Sequence, residues 1–275
     1  LLGMVAPSDL IHAEPNVSVR TVAEPDPIRV PVDMDQEKVA SIARDNDLVA
    51  VPVVDAQGRL VGQVLHDDVA DVIEEEATED IAQMAGVDPE EMYVDSVKVA
   101  LKSRAPWLLP AFVGGLLVAA FLGVFEDQIG AAPALAMFLP VVLGMAGNIG
   151  TQTSAITVRG LALDRIDSRR AGPVIRRQMV TGIVLGLVFG VLLTLFAFLT
   201  RDAETASPLR IALALGMSIS ASMTVGATMG VAVPLTLHRL GFDPAIATSP
   251  FVQTANDVTG AGILFIMANA MGIFG

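Results

Sequence analysis

The chain has 275 residues, a formal net charge of −13 and no cysteine, which excludes disulfides, thiolate metal sites and cysteine nucleophiles. Its charge is unevenly placed: residues 1–105 hold 22 acids against 8 Lys and Arg, and residues 106–275 hold 8 against 9. The acidic balance argues against a nucleic-acid partner, and the split reads as a soluble acidic segment followed by a membrane-embedded one. The three histidines, His12, His66 and His238, are scattered, which argues against a His-based metal centre, and no nucleophile–base arrangement points to an enzyme. Lys is scarce (Lys38, Lys98 and Lys102), a bias that suits a salt-loving host and offers a plain reading of any acidic cluster as solvated surface. No secretory leader pattern is visible, and the chain opens at Leu1 in what reads as mid-domain, so a fragment lacking an N-terminal portion is expected.

In the soluble half, Asp35–Asn46 is predicted helical, with Val39, Ile42 and Ala43 on its apolar side. Val49–Val54 and Leu60–Leu65 are predicted strands joined by the turn Asp55-Ala-Gln-Gly58. Asp67–Glu76 is a second predicted helix, with Val69, Val72 and Ile73 facing inward. This order of helix, strand, turn, strand, helix resembles a cystathionine-β-synthase-type (CBS) regulatory module. Leu2–Leu10 echoes Val61–Val69, so residues 1–10 read as the remnant of a first module and residues 11–73 as a second. Adenylate-binding modules of this type often show Gly-x-x-Thr-x-x-Asp after the second strand. Here Gly62 and Asp68 fit but Leu65 replaces the Thr, which weakens the case for ATP at this module.

Residues 74–105 read as an acidic connector. Asp67, Asp68, Asp71, Glu74, Glu75, Glu76, Glu79 and Asp80 crowd its approach, and Asp71/Glu75/Glu79 and Glu76/Asp80 are like-charge i,i+4 pairs that destabilise a lone helix. A divalent cation between subunits would relieve that repulsion and make the segment a sensor; a solvated acidic face is the competing reading, and for Glu74 and Glu75 the two stay open.

Residues 106–275 hold five apolar stretches, Trp107–Phe125, Pro133–Val158, Gln178–Leu199, Arg210–Leu237 and Ala245–Phe274, each long enough for a hydrocarbon core of roughly 30 Å. The connection Arg159–Arg177 carries six arginines, which places it in the cytoplasm together with the N-terminal domain and leaves the C-terminus outside. Gly182, Gly186 and Gly190, and likewise Gly226 and Gly230, repeat every four residues and predict close helix packing.

Two spans carry polar groups. In the second, Gly144-Met-Ala-Gly-Asn148-Ile-Gly-Thr151-Gln152 places an amide at mid-membrane depth, where pore lining is the preferred reading for Asn148. Thr151, Gln152, Thr153, Ser154 and Thr157 then run along the route to the cytoplasmic end, although for Thr153 and Ser154 interhelical hydrogen bonding is the preferred reading. In the fifth, Ser249-Pro250 is expected to break the helical ladder ahead of Thr254 and Asp257. Asp257 has no Lys or Arg within its stretch, and an acid at that depth costs several kcal/mol. With Thr254, Asn256 and Thr259 around it, the site offers hard oxygen ligands suited to a small divalent cation.

These motifs together resemble the MgtE family of magnesium channels over essentially the whole chain. The family's Gly-Gly-Asn-x-Gly-x-Gln appears as Ala146-Gly147-Asn148-Ile149-Gly150-Thr151-Gln152, with Ala for the first Gly. Asp243-Pro244-Ala245, Pro250, Thr254, Asp257 and Gly260 match the final-span pattern, and Glu76-Ala77-Thr78-Glu79-Asp80 matches the connector. The resemblance implies a multi-domain membrane protein, an α/β CBS-type module followed by an all-α five-transmembrane-helix bundle at 106–275. It implies a homodimer in the inner or plasma membrane with its pore on the two-fold axis. Asp257, Asn148, Gly147 and Thr254 would line the pore, and Glu79, Asp80, Glu76 and Asp71 would sense cytosolic Mg²⁺ and gate it. The competing readings are a cation-coupled secondary transporter of divalent metal using Asp257 as coupling acid, and a membrane-anchored adenylate sensor.

Overall fold

The structure, a computed structural model, describes residues 1–163, 165–200, 208–247 and 250–274. The chain divides into two compact units, Leu1–Asp80 and Ile81–Gly275.

The first unit opens with β1 (Gly3–Met4), α1 (Pro7–His12), α2 (Val19–Val22) and β2 (Glu24–Pro25), with β1 antiparallel to β2. There follow β3 (Val30–Pro31), α3 (Gln36–Asp45), β4 (Ala50–Val54), β5 (Leu60–Leu65) and α4 (His66–Ala85). Asp35 caps α3 by accepting a hydrogen bond from the Glu37 N–H at 3.0 Å, which satisfies a donor that the helix start leaves free. Asp55 organises the turn between β4 and β5, its Oδ1 accepting from Gln57 N at 2.9 Å and Arg59 N at 2.8 Å, while Gly58 supplies a φ of 72°. The sheet order is β3-β4-β5, parallel then antiparallel, and Val30, Val39, Ala40, Ala43, Val51 and Val69 form its core. Ile73 departs from expectation: it is 39% exposed, because the core reaches Val69 and, in part, Val72 and stops there. The echo between Leu2–Leu10 and Val61–Val69 is matched in element type, since β1–α1 and β5–α4 each run from strand into helix. The helix expected over Asp67–Glu76 does not stop there but continues as α4 to Ala85.

The second unit holds α5 (Val97–Gly123), α6 (Glu126–Ala131), α7 (Pro133–Ala162), α8 (Gly172–Leu199), α9 (Pro208–Arg239) and α10 (Pro250–Ala270). α5, α7, α8 and α9 are long and apolar enough to cross a membrane; α10 has 21 residues and packs against α5, α7 and α9. Helix ends shift the sequence reading, and α5 begins at Val97, within the stretch expected to be connector. Arg159 lies in the last turn of α7 and Arg176 and Arg177 lie inside α8, so the arginine-rich connection is shorter than expected. α10 is described from Pro250 onward, and Ser249 before it lies outside the described residues, as does most of the Thr200–Leu209 connection.

Ahead of α5, a 3-10 turn at Pro89–Met92 is tied to it: Ser103 Oγ accepts from Asp88 N at 2.7 Å, and Arg104 Nε donates to Glu91 at 2.8 Å. The Arg104 hydrogen bond holds the Glu91 carboxyl below its ordinary range. α9 is the centre of the bundle, packed against α7, α8 and α10. Gly182, Gly186 and Gly190 of α8 lie on Thr224, Ser220 and Gly216 of α9, and Ser220 Oγ donates to Gly186 O at 2.7 Å. Gly226 and Gly230 of α9 lie on the Ala146 and Gly150 carbonyls of α7. Both glycine ridges therefore serve packing within one chain.

A Cβ on Gly186 would fall 2.6 Å from Ser220 O, a backbone atom that cannot swing aside. Gly186→Ala is expected to lower stability by about 1–3 kcal/mol. Gly115→Ala in α5, with nothing within 4 Å, is expected to be neutral or slightly stabilising. Thermal unfolding in detergent micelles compares the two.

Candidate functional site

The polar residues of the second unit meet where α10 lies along α7. Gly150 of α7 faces Val252 and Asn256 of α10, and Gly260 of α10 faces Leu143 of α7, so the two helices run antiparallel. Their approach depends on glycine: a Cβ at Gly147 would land on the carboxamide of Gln253, and one at Gly150 on the amide of Asn256. Asp257, between Asn256 and Gly260, stands at the height of Leu143–Gly147. It is half-buried, and Gln253 Nε2 donates to its Oδ1 at 3.0 Å. Among the described residues no ion pair reaches Asp257.

The residues expected around this carboxylate separate into distinct roles. Gly147 is buried and seats Gln253, while Asn148, the next residue, lies on the exposed face of α7 with Thr151 and Gln152. Thr157, expected along the same route, is buried instead, and its Oγ1 donates to Thr153 O at 2.8 Å; Thr153 and Ser154, preferred for helix packing, are buried as well. A helix turns 100° per residue, so 151 and 152 share the face of 148, whereas 153, 154 and 157 fall on the face of 146, 147 and 150. Thr254 packs its side chain on the bare Cα of Gly114 in α5. Asn256 is 1% exposed and donates from Nδ2 to Ala146 O at 3.3 Å, and Thr259 donates to Ala255 O at 2.7 Å. Asn256 and Thr259 therefore serve helix packing and backbone bonding.

Gln253 is the residue that sequence reasoning passed over. The available signal was its i,i+4 spacing from Asp257, which puts an amide and a carboxylate on one helical face.

In the first unit, Asp71 and Glu79 are exposed on α4, and Glu76 accepts from Gln36 Nε2 of α3 at 2.8 Å, a bond that ties two helices of the module together. Asp80 follows Glu79 at the boundary between the units. Among the described residues no three Asp, Glu or His side chains converge as a metal site. Asp68 Oδ2 accepts from Leu65 N at 2.9 Å at the start of α4, and Asp68 also lines a cavity of about 290 Å³ with Val30, Val53, Val64 and Val69. Gly62 is not among the residues lining that cavity.

Comparison with known proteins follows the same two-part layout. Residues 19–75 match the CBS domain, and residues 139–267 match the family MgtE, described as a divalent cation transporter. The chain is 37% identical over 273 residues to the magnesium transporter MgtE of Thermus thermophilus, covering 98% of this chain and 59% of that protein. It is 35% identical over 269 residues to the protein of that name from Enterococcus faecalis, covering 98% and 58%. With the Bacillus subtilis magnesium transporter MgtE it shares 33% identity over 270 residues, covering 98% and 59%. The chain thus spans under two thirds of the length of the relatives it matches.

The packing role of Asn256 carries its own expectation. Asn256→Ala removes a buried hydrogen bond and leaves the Ala146 carbonyl with one partner fewer. It should lower stability by about 1–3 kcal/mol, seen as a lower midpoint in thermal unfolding, whereas Thr259→Val should stay within about 0.5 kcal/mol of the parent.

Proposed function

The chain belongs to the MgtE family of divalent cation transporters, and on that premise we propose that it conducts Mg²⁺ across a cell membrane through a pathway that passes Asp257. One observation carries this reading: a half-buried carboxylate on α10, with no cationic partner among the described residues, beside the stretch of α7 whose glycines bring the two helices together. A carboxylate kept at that depth needs a counter-charge, and intramembrane acids mark ion paths. Mg²⁺ sheds its waters reluctantly, so the fitting partner is the hydrated ion, whose bound waters donate to carboxylate and amide oxygens.

The pathway is completed by a second copy of the chain. Asn148, Thr151 and Gln152 form a polar face on a helix otherwise suited to lipid, and in one protomer that face is exposed. Polar groups on a span face protein or water, not hydrocarbon. A homodimer with α7 and α10 of each subunit flanking the two-fold axis would turn those residues and the Asp257 pair toward one water-filled pore. α10 then crosses the bilayer as the fifth span. The first unit and the arginine-rich connection lie in the cytoplasm, the C-terminus lies outside, and Asn148, Gly147, Thr254 and Asp257 all belong to the pore region.

Cytosolic Mg²⁺ closes this pore by binding to the acidic stretch of α4. Asp71, Glu76, Glu79 and Asp80 do not converge on a cation within one chain, so the sites lie between chains, where bound Mg²⁺ would screen the like-charge repulsion between connectors. A nucleotide is the weaker candidate ligand of the first unit: the cavity lined by Asp68 offers an apolar wall for a base and a carboxylate for a ribose hydroxyl, but Gly62 does not line it and Leu65 stands in place of the usual Thr. ATP binding there would tune the closure rather than replace it.

In liposomes holding the full chain, Asp257→Ala is expected to reduce Mg²⁺ influx at least tenfold, and equal flux in the two proteins would overturn the pathway. Neutralising the connector with Glu79→Gln and Asp80→Asn should leave influx at low internal Mg²⁺ intact and raise the internal Mg²⁺ needed for half-closure. An unchanged closure curve would remove these two residues from sensing.

A further inference from the structure

Gln253 makes two contacts that belong together. Its Nε2 donates to Asp257 Oδ1 at 3.0 Å, one turn along the same helix. Its carboxamide also rests on the α7 backbone at Gly147, where a Cβ would clash with the carboxamide oxygen, nitrogen and carbon alike. The tip of a long, flexible side chain is thus confined between a bare Cα and a carboxylate. The neighbouring helices offer nothing else of this kind. The charged and titratable residues of α5, α7 and α9 stand toward the helix ends: Lys98, Lys102 and Arg104 on α5, Arg159 on α7, and Arg210, His238 and Arg239 on α9. α10 carries no charged residue but Asp257.

We propose that Gln253 is the positioning residue of the ion pathway: seated on Gly147, it holds the Asp257 carboxylate in one orientation for hydrated Mg²⁺. The inference rests on the reading of Asp257 given above. An amide suits the task better than a cation. A Lys at position 253 would neutralise the carboxylate and remove the attraction for Mg²⁺, whereas a neutral donor fixes the group and leaves its charge in place. Engaging Oδ1 leaves Oδ2 to accept from a metal-bound water. An unheld carboxylate would have to lose its rotational freedom each time an ion arrived, which weakens binding. The glycine is part of the device, because a side chain at 147 would evict the carboxamide from its seat.

The test is Mg²⁺ influx into liposomes holding the full chain, measured across external Mg²⁺ concentrations so that half-saturation and maximal flux separate. Gln253→Met keeps the length of the side chain and removes the donor. It is expected to raise the half-saturating Mg²⁺ about tenfold, the worth of a hydrogen bond to a charged group, with maximal flux within about twofold of the parent. Gly147→Ala, whose methyl displaces the carboxamide, is expected to raise half-saturation by a similar factor. A fall in maximal flux with half-saturation unchanged in both variants would assign Gln253 to packing alone and overturn the proposal. If Asp257→Ala abolishes influx while Gln253→Met leaves half-saturation unchanged, this inference fails and the pathway stands; if Asp257→Ala conducts like the parent, both fail.

Discussion

The membrane half of the protein is organised by backbone lying on backbone at α9. In hydrocarbon there is no water to drive apolar side chains together, so helices hold each other through close van der Waals contact and the few hydrogen bonds they can share. Gly186 and Gly190 bring α8 onto α9, and Gly226 and Gly230 bring α9 onto the carbonyls of α7. Buried Ser218, Ser222 and Thr157 fill the narrow spaces, with Ser218 and Thr157 bonded to carbonyls of their own helices one turn back. Three helices so fixed make a rigid wall, and α10 is laid against it.

That wall receives the polar residues of α10. Gly147 and Gly150 leave a shallow trough on α7, and Gln253 and Asn256 occupy it. The two amides have different tasks: Asn256 reaches the Ala146 carbonyl and binds the helices, while Gln253 turns along its own helix to Asp257. On the opposite side Thr254 fits at Gly114, a buried position on an α5 that otherwise buries only Ser103. The glycine-rich motif of α7 therefore acts at two levels: Gly147 and Gly150 set the distance to α10, and Asn148, between them in sequence, is left on the open face.

The first unit was largely legible from pattern, because its rules are local. The cap at Asp35, the Asp55–Gly58 turn and the strand-forming run Leu60–Leu65 each specify backbone within a few residues, and α3 and β5 fall where those signals put them. Ile73 was misread because a helix's apolar stripe says nothing about how far the sheet beneath it extends. The candidate site was legible in part. Asp257, Asn148 and Gly147 stand out as residue types at odds with their apolar surroundings, but Gln253 was hidden, since an amide next to a polar Thr is unremarkable until its direction is known.

By itself the sequence determined the two-part layout, the helices long enough for a bilayer, the ridges of small residues and the isolated acid, because hydropathy, length and composition are properties of single segments. Only the tertiary structure decided which polar residue faces which neighbour. It placed Thr153, Ser154 and Thr157 in packing, Asn148 on the open face, and Gln253 between Gly147 and Asp257. Helical periodicity gives each residue's angle about its own axis, but the direction that counts as inward is set by the helix across from it. Here that is fixed by where missing side chains let two backbones touch.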